Sequence, residues 1–260
     1  MSEKDTLGAE NTTNYFPVVR KVKSSAIISW LKAGIKDTRR AGLASLFYGV
    51  FFALAGLIMH LVIIKAYWLM AALTTGFLLL GPFLAMGLYD LSRRMELGEQ
   101  AKLVPTLSAW RLNLINVGIF AGVLVVVLLI WARSSMVIFA IFFEGALPTF
   151  ADVILNVLAF KQPIFTIVYF SIGGIFAAFI FAISVIAIPL MADRKTDAIT
   201  AAIASLLAVI RNPFQMLLWA ICIVILVGIG FATSFLGLIV TMPIVGHASW
   251  HAYRDLVEAS

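Results

Sequence analysis

The chain has 260 residues, 62% hydrophobic and only 12% charged, with a mean hydropathy of +1.04. Soluble domains carry about twice that share of charge, so this composition excludes a soluble globular protein. The formal net charge of +6 sits in basic segments beside apolar runs, the inside-positive pattern of membrane proteins; nucleic acid is therefore not an expected partner.

In chain order, residues 1–23 are polar and basic, carry no early apolar run of the kind that marks a signal peptide, and read as a disordered tail. Residues 26–40 predict an amphipathic helix, with Ile27, Trp30, Leu31 and Ile35 on one face and Lys32, Lys36, Asp37 and Arg39 elsewhere. Such a basic helix beside a span suits an anionic lipid surface. Two apolar runs follow, at 43–64 and 66–88, the second with Pro82 near its end. Residues 99–112 predict a second amphipathic helix despite Pro105. The third span, 114–132, contains Gly118 and Gly122 at the spacing that lets helices approach closely.

The stretch 134–147 is apolar but short. It reads as an extension of the third helix or a re-entrant piece, before an outer loop at 148–162. A fourth span covers 164–191. Residues 193–212 predict the third amphipathic helix, with Asp193 as its N-cap, Ile199, Ile203, Leu206, Leu207 and Ile210 on one face, and Asn212-Pro213 at its end. The apolar region 213–245 is about 50 Å long as a helix, too long for one crossing, and divides into spans at 213–230 and 233–250.

The expected fold is therefore all-α: a polytopic transmembrane helix bundle of six spans, grouped as three hairpins with cytoplasmic amphipathic helices between them, over residues 24–257. This topology places sixteen of the nineteen Lys and Arg on the side of both termini and leaves only Lys65, Arg133 and Lys161 opposite. The rule that basic loops stay inside makes that side cytoplasmic. Each inward-running span has a proline near its cytoplasmic end, at Pro82, Pro189 and Pro243, followed by an acid and a base; a threefold internal repeat would produce this pattern.

The run Pro189-Leu190-Met191-Ala192-Asp193-Arg194, then Asp197, Ala201, Ser205, Asn212-Pro213 and Trp219, resembles a bacterial family catalogued as domain of unknown function 2189, predicted integral membrane proteins. The ending from Pro243 through His247, Trp250, His251 and Tyr253 to Leu256 resembles it too. The resemblance spans most of 25–257 and is most specific over 189–256. It implies a bacterial inner (plasma) membrane and no particular activity or cofactor.

Candidate chemistry is sparse. His247 and His251 are four residues apart on one helix face, a spacing that can hold a metal if Asp255 completes it; the bland alternative is a pair of interface anchors beside Trp250 and Tyr253. Asp90, Arg93, Asp193, Arg194, Arg254 and Asp255 should gather at the cytoplasmic surface, chiefly as an ion-pair cluster that locks helix ends, with a headgroup or ligand site as the alternative. Arg133 and Glu144 belong at the outer interface. No predicted span carries a carboxylate, Lys or Arg near its midpoint, which disfavours an ion-coupled transporter. The single cysteine, Cys222, permits neither a disulfide framework nor a cysteine metal site and reads as a packing residue. Three functional readings follow. The first is a non-enzymatic component that binds lipid, a protein partner or another copy of itself. The second is an uncoupled transporter or channel for a small solute, and the third is a metal- or haem-linked membrane protein.

Overall fold

A computed structural model describes residues 17–65, 70–143 and 161–258. Helices make up the described regular structure: α1 (Ala26–Ala41), α2 (Leu43–Lys65), α3 (Met70–Glu96), the short α4 (Leu103–Thr106), a 3₁₀ turn (Ala109–Asn113), α5 (Leu114–Phe142), α6 (Pro163–Ser184), α7 (Ala187–Arg194), α8 (Ala198–Arg211), α9 (Pro213–Ala232) and α10 (Leu238–Leu256). Among the described residues, four segments are long and apolar enough to cross a membrane: Leu43–Leu61, Leu114–Phe142, Pro163–Arg194 and Pro213–Ala232.

Buried side chains concentrate at one pole, where Trp30, Trp219, Trp250, Tyr253, Met86, Leu190 and Met191 are sealed from solvent. Trp30 and Trp219 meet edge to face, with centroids 5.8 Å apart. Away from this pole the spans present large aliphatics outward, Val126, Ile130, Ile175 and Val224 among them. That suits helices whose outer solvent is as apolar as their core.

The helix at the centre is α10. Pro243 lies inside it and has no N–H to give the Ile239 carbonyl. Gly49 of α2 packs against that residue: a Cβ at Gly49 would run into the Ile239 backbone. Gly34 of α1 does the same one turn further on, where a Cβ would stand 2.7 Å from the Ile244 carbonyl oxygen and 2.8 Å from the Ala248 Cβ. Two glycines thus let two helices close directly onto the α10 backbone.

A second proline shapes the α6–α7 junction. Pro189 follows a break at Val185–Ile186, and the buried Ser205 of α8 fills it: its hydroxyl accepts from the Ile186 amide at 3.1 Å and donates to the Ala182 carbonyl at 2.7 Å. The side chain has inserted into the helical hydrogen-bond ladder, a recognised cause of kinking.

Several expectations need correction. The helix expected over 99–112 is broken into α4 and a 3₁₀ turn, because Pro105 and the serine and threonine around it bond locally, Thr106 to Leu103 and Ser108 to Pro105. Asp193 caps nothing; Asp197 is the N-cap of α8, accepting from the Ile199 and Thr200 amides at 3.1 and 2.9 Å. The aliphatic face of α8 points outward. Ile199, Ile203, Leu206 and Ile210 are exposed, and the small residues Ala201, Ala204, Ser205 and Ala208 are buried, since close packing between apolar helices selects small side chains. Gly118 and Gly122 face open space. Helix α5 runs unbroken to Phe142, so residues 134–142 extend the third span; 143 is extended and 144–147 lie outside the described residues.

Residues 17–23, expected to be disordered with the rest of the tail, form a strap. Val19 bridges to Val257, the Arg20 amide donates to the Leu256 carbonyl at 2.7 Å, and the Glu258 amide donates to Val18 at 3.0 Å. The buried Asn212 side chain holds the strap's other edge, accepting from Val22 N–H and donating to the Arg20 carbonyl, both at 2.9 Å.

Gly49→Ala should lower thermal stability in detergent by about 1–3 kcal/mol through overpacking, whereas Gly118→Ala should leave it unchanged or raise it slightly. Equal effects of the two would contradict the close α2–α10 approach.

Candidate functional site at the basic pole

Four helices converge on one imidazole. His247 of α10 is fully buried, its Nε2 2.6 Å from Ser45 Oγ at the start of α2 and its Nδ1 2.7 Å from Ser92 Oγ of α3. Ser92 in turn donates to Asp37 Oδ2 of α1 at 2.8 Å, and His251 Nε2 lies 2.8 Å from the same carboxylate oxygen. The polarity of this chain follows from counting protons. A serine hydroxyl has one to give; Ser92 gives it to Asp37, so Ser92 must accept from His247 Nδ1–H. The neutral ring then has Nε2 as its acceptor, and Ser45 donates to it. His251 donates Nε2–H to Asp37.

Burial pushes the Asp37 carboxyl up, but hydrogen bonds from His251 and Ser92 outweigh it and hold the group below its ordinary value of 3.8. The sequence put Asp37 off the apolar face of α1; it is instead on the inward face with Ile27, Trp30, Gly34, Thr38 and Ala41. The signal was present in the spacing: 27, 30, 34, 37, 38 and 41 form one helical stripe, and an acid in such a stripe needs donors facing it.

The expected metal trio does not converge. Both nitrogens of His247 are taken by serines, His251 faces Asp37, and Asp255 accepts from Trp30 Nε1 at 2.6 Å. Among the described residues no group of three or more His, Cys, Asp and Glu is placed to hold a metal ion.

The six residues expected as one polar cluster separate into three. Asp90 is buried and grips its own helix, bonded by Arg93 Nη2 at 2.9 Å and Arg94 Nε at 2.7 Å. Asp193, Arg194 and Arg254 do meet: Tyr253 donates to Asp193 Oδ2 at 2.6 Å and accepts from Arg194 Nε at 3.0 Å, and Arg254 Nη1 lies 3.5 Å from the same carboxylate oxygen. Arg194 also reaches the Glu258 carbonyl. Glu96 of α3, absent from the expected set, ties in Arg254 Nε at 3.2 Å and Trp250 Nε1 at 3.1 Å. Asp255 stands apart with Trp30. Arg133 is exposed on α5, and Glu144 lies outside the described residues.

Between α1 and the ends of α3 and α10 an open cleft of about 440 Å³ is lined by Arg20, Ser29, Trp30, Ala33, Glu96, His251, Arg254 and Asp255. His251 belongs to both features: its ring lines the cleft and its Nε2 reaches the buried chain. The arrangement can bind charged groups at the cleft and relay a change in His251 to Asp37; the buried serines have no access to a substrate.

Residues 69–193 match the model of a family described as predicted integral membrane protein (DUF2189). The match overlaps the most specific part of the sequence resemblance only at residues 189–193. No curated protein and no solved structure matches the chain.

Removing the Asp37 charge tests the site. A carboxyl held low contributes stability in full above its ordinary value and loses it as pH falls through the folded value. The wild type should therefore lose thermal stability on acidification below about 3.8. Asp37→Asn should start lower near neutrality by about 1–3 kcal/mol and show a flatter acid limb. Parallel curves for the two proteins would overturn the assignment.

Proposed function

We propose that this chain is a non-enzymatic component of a bacterial inner membrane that binds anionic lipid through the outward face of α1. The observation that carries the reading is the division of α1 into two faces. Ile27, Trp30, Gly34, Asp37 and Thr38 are buried, with Trp30, Gly34 and Asp37 held against α10, while Ile28, Lys32, Ile35, Lys36 and Arg39 are exposed along the opposite side. A rigidly held helix that alternates aliphatic and basic side chains outward is suited to the headgroup boundary, where the stems bury and the charges meet phosphate.

The topology we propose is six crossings in three hairpins, α2 with α3, α5 with α6, and α9 with α10, with both termini cytoplasmic. Contacts within each pair support it. Ser45 and Ser92 share one imidazole. Trp131 packs on Tyr169 and Phe176, and Phe139 on Phe165, so α5 and α6 run antiparallel. A Cβ at Gly230 would strike Leu238. The pairing of Val19 with Val257 supports an arrangement with both of these segments on one side, and the charge bias favours the cytoplasm as that side. Helices α3 and α10 are the least apolar of the six because their inner ends carry the polar groups that bond one another at the basic pole.

Lipids retained on the detergent-purified protein, counted by native mass spectrometry, test the reading. Phosphatidylglycerol should be retained over neutral lipid. The Lys32→Gln/Lys36→Gln/Arg39→Gln triple variant should weaken it on the order of a hundredfold, at about 1 kcal/mol per basic residue. Unselective retention, or no change in the triple variant, would refute it.

A further inference from the structure

We propose that the cleft between α1 and the ends of α3 and α10 is a specific site for a zwitterion that joins a phosphate ester to an ammonium group. It is separate from the outward face of α1, and its volume of about 440 Å³ falls within the range of small-molecule sites.

The chemistry comes from what each lining group has left after its internal bonds. Arg20 uses Nε on Glu258 at 3.3 Å and is half exposed, which leaves its two terminal nitrogens as donors. Arg254 uses Nε on Glu96 and Nη1 on Asp193, which leaves Nη2. The terminal edge of Arg20, which can meet two phosphate oxygens at once, and the further donor of Arg254 stand at one cleft. Asp255 accepts from Trp30 on Oδ2 only, so Oδ1 remains as an acceptor for an ammonium. His251 gives Nε2 to Asp37, and its Nδ1 is the ring atom that remains. Each Glu96 oxygen already accepts one bond, from Arg254 and from Trp250, and this fixes Arg254 at the cleft. A purely anionic ligand would satisfy the arginines and meet Asp255 as a like charge. A purely cationic one would face two guanidiniums. The mixed ligand satisfies both.

This chemistry is shared by a phosphatidylethanolamine headgroup and by a free phosphoethanolamine ester. Glycerophosphoethanolamine titrated into the full-length protein in detergent, followed by calorimetry, should bind at one site, and neither glycerol phosphate nor ethanolamine alone should match it. Asp255→Asn, which keeps an oxygen for Trp30, and the exposed Arg20→Gln should each weaken binding about tenfold or more. The α1 triple variant should bind normally, which separates this site from the lipid face. In nanodiscs, loss of soluble-ester binding in phosphatidylethanolamine but not in phosphatidylglycerol identifies the lipid as the source; binding in both identifies the free ester. Equal binding of glycerol phosphate, indifference to Asp255→Asn in a protein of unchanged thermal midpoint, or no saturable binding would overturn the proposal.

Discussion

An imidazole removed from water needs a partner at each nitrogen, and at the basic pole that need is met by residues from different helices. His247 draws Ser45 from α2 and Ser92 from α3, and Ser92 draws Asp37 from α1. Withdrawing any one of these groups leaves its neighbour's donor or acceptor unpaired in the interior, at a cost of about 1–3 kcal/mol. The chain therefore does more than fill space between helices: it fixes their relative register where the aliphatic contacts alone would tolerate sliding.

Close approach is what brings those groups within reach. Short side chains such as serine cannot bridge an ordinary interhelical gap of about 8–10 Å. Gly34 and Gly49 remove the Cβ atoms that would hold α1 and α2 away from α10, and Pro243 supplies the irregular backbone against which Gly49 lies. On the other side of the bundle Ser205 plays the complementary part, closing the break ahead of Pro189 with a side chain from α8. Ahead of Pro189 a side chain from another helix meets the opened ladder, as membrane helices require where no water can serve; beside Pro243 the small residue supplies close approach alone.

The sequence made the class of fold legible because hydropathy over about 20 residues reports directly on a bilayer. The ends of α2, α9 and the amphipathic α1, and the start of α5, were also readable from composition and from the Asn212-Pro213 punctuation. Facing was harder. In α8 the large aliphatics and the alanines both count as apolar, so periodicity could not say which side met protein and which met lipid. Asp37 is hard to place for a related reason: its charge argues for solvent, although its position falls on the buried stripe. The expected cluster of six charges separated because residues adjacent in sequence, Arg254 and Asp255, point about 100° apart on a helix, one toward Asp193 and Glu96 and the other toward Trp30. The strap at 17–23 had no sequence signal beyond Val18 and Val19, since its bonds are backbone bonds to distant residues.

The central claim is the directed hydrogen-bond chain through His247, and the chain contains only three histidines, His60, His247 and His251. Imidazole nitrogen NMR of the histidine-labelled protein, with the His251→Gln variant used for assignment, reads the tautomer of each ring. The account predicts a neutral His247 protonated at Nδ1 and bare at Nε2, perturbed when Ser92 is replaced by alanine. A ring protonated at Nε2, or one insensitive to Ser92→Ala, would contradict it.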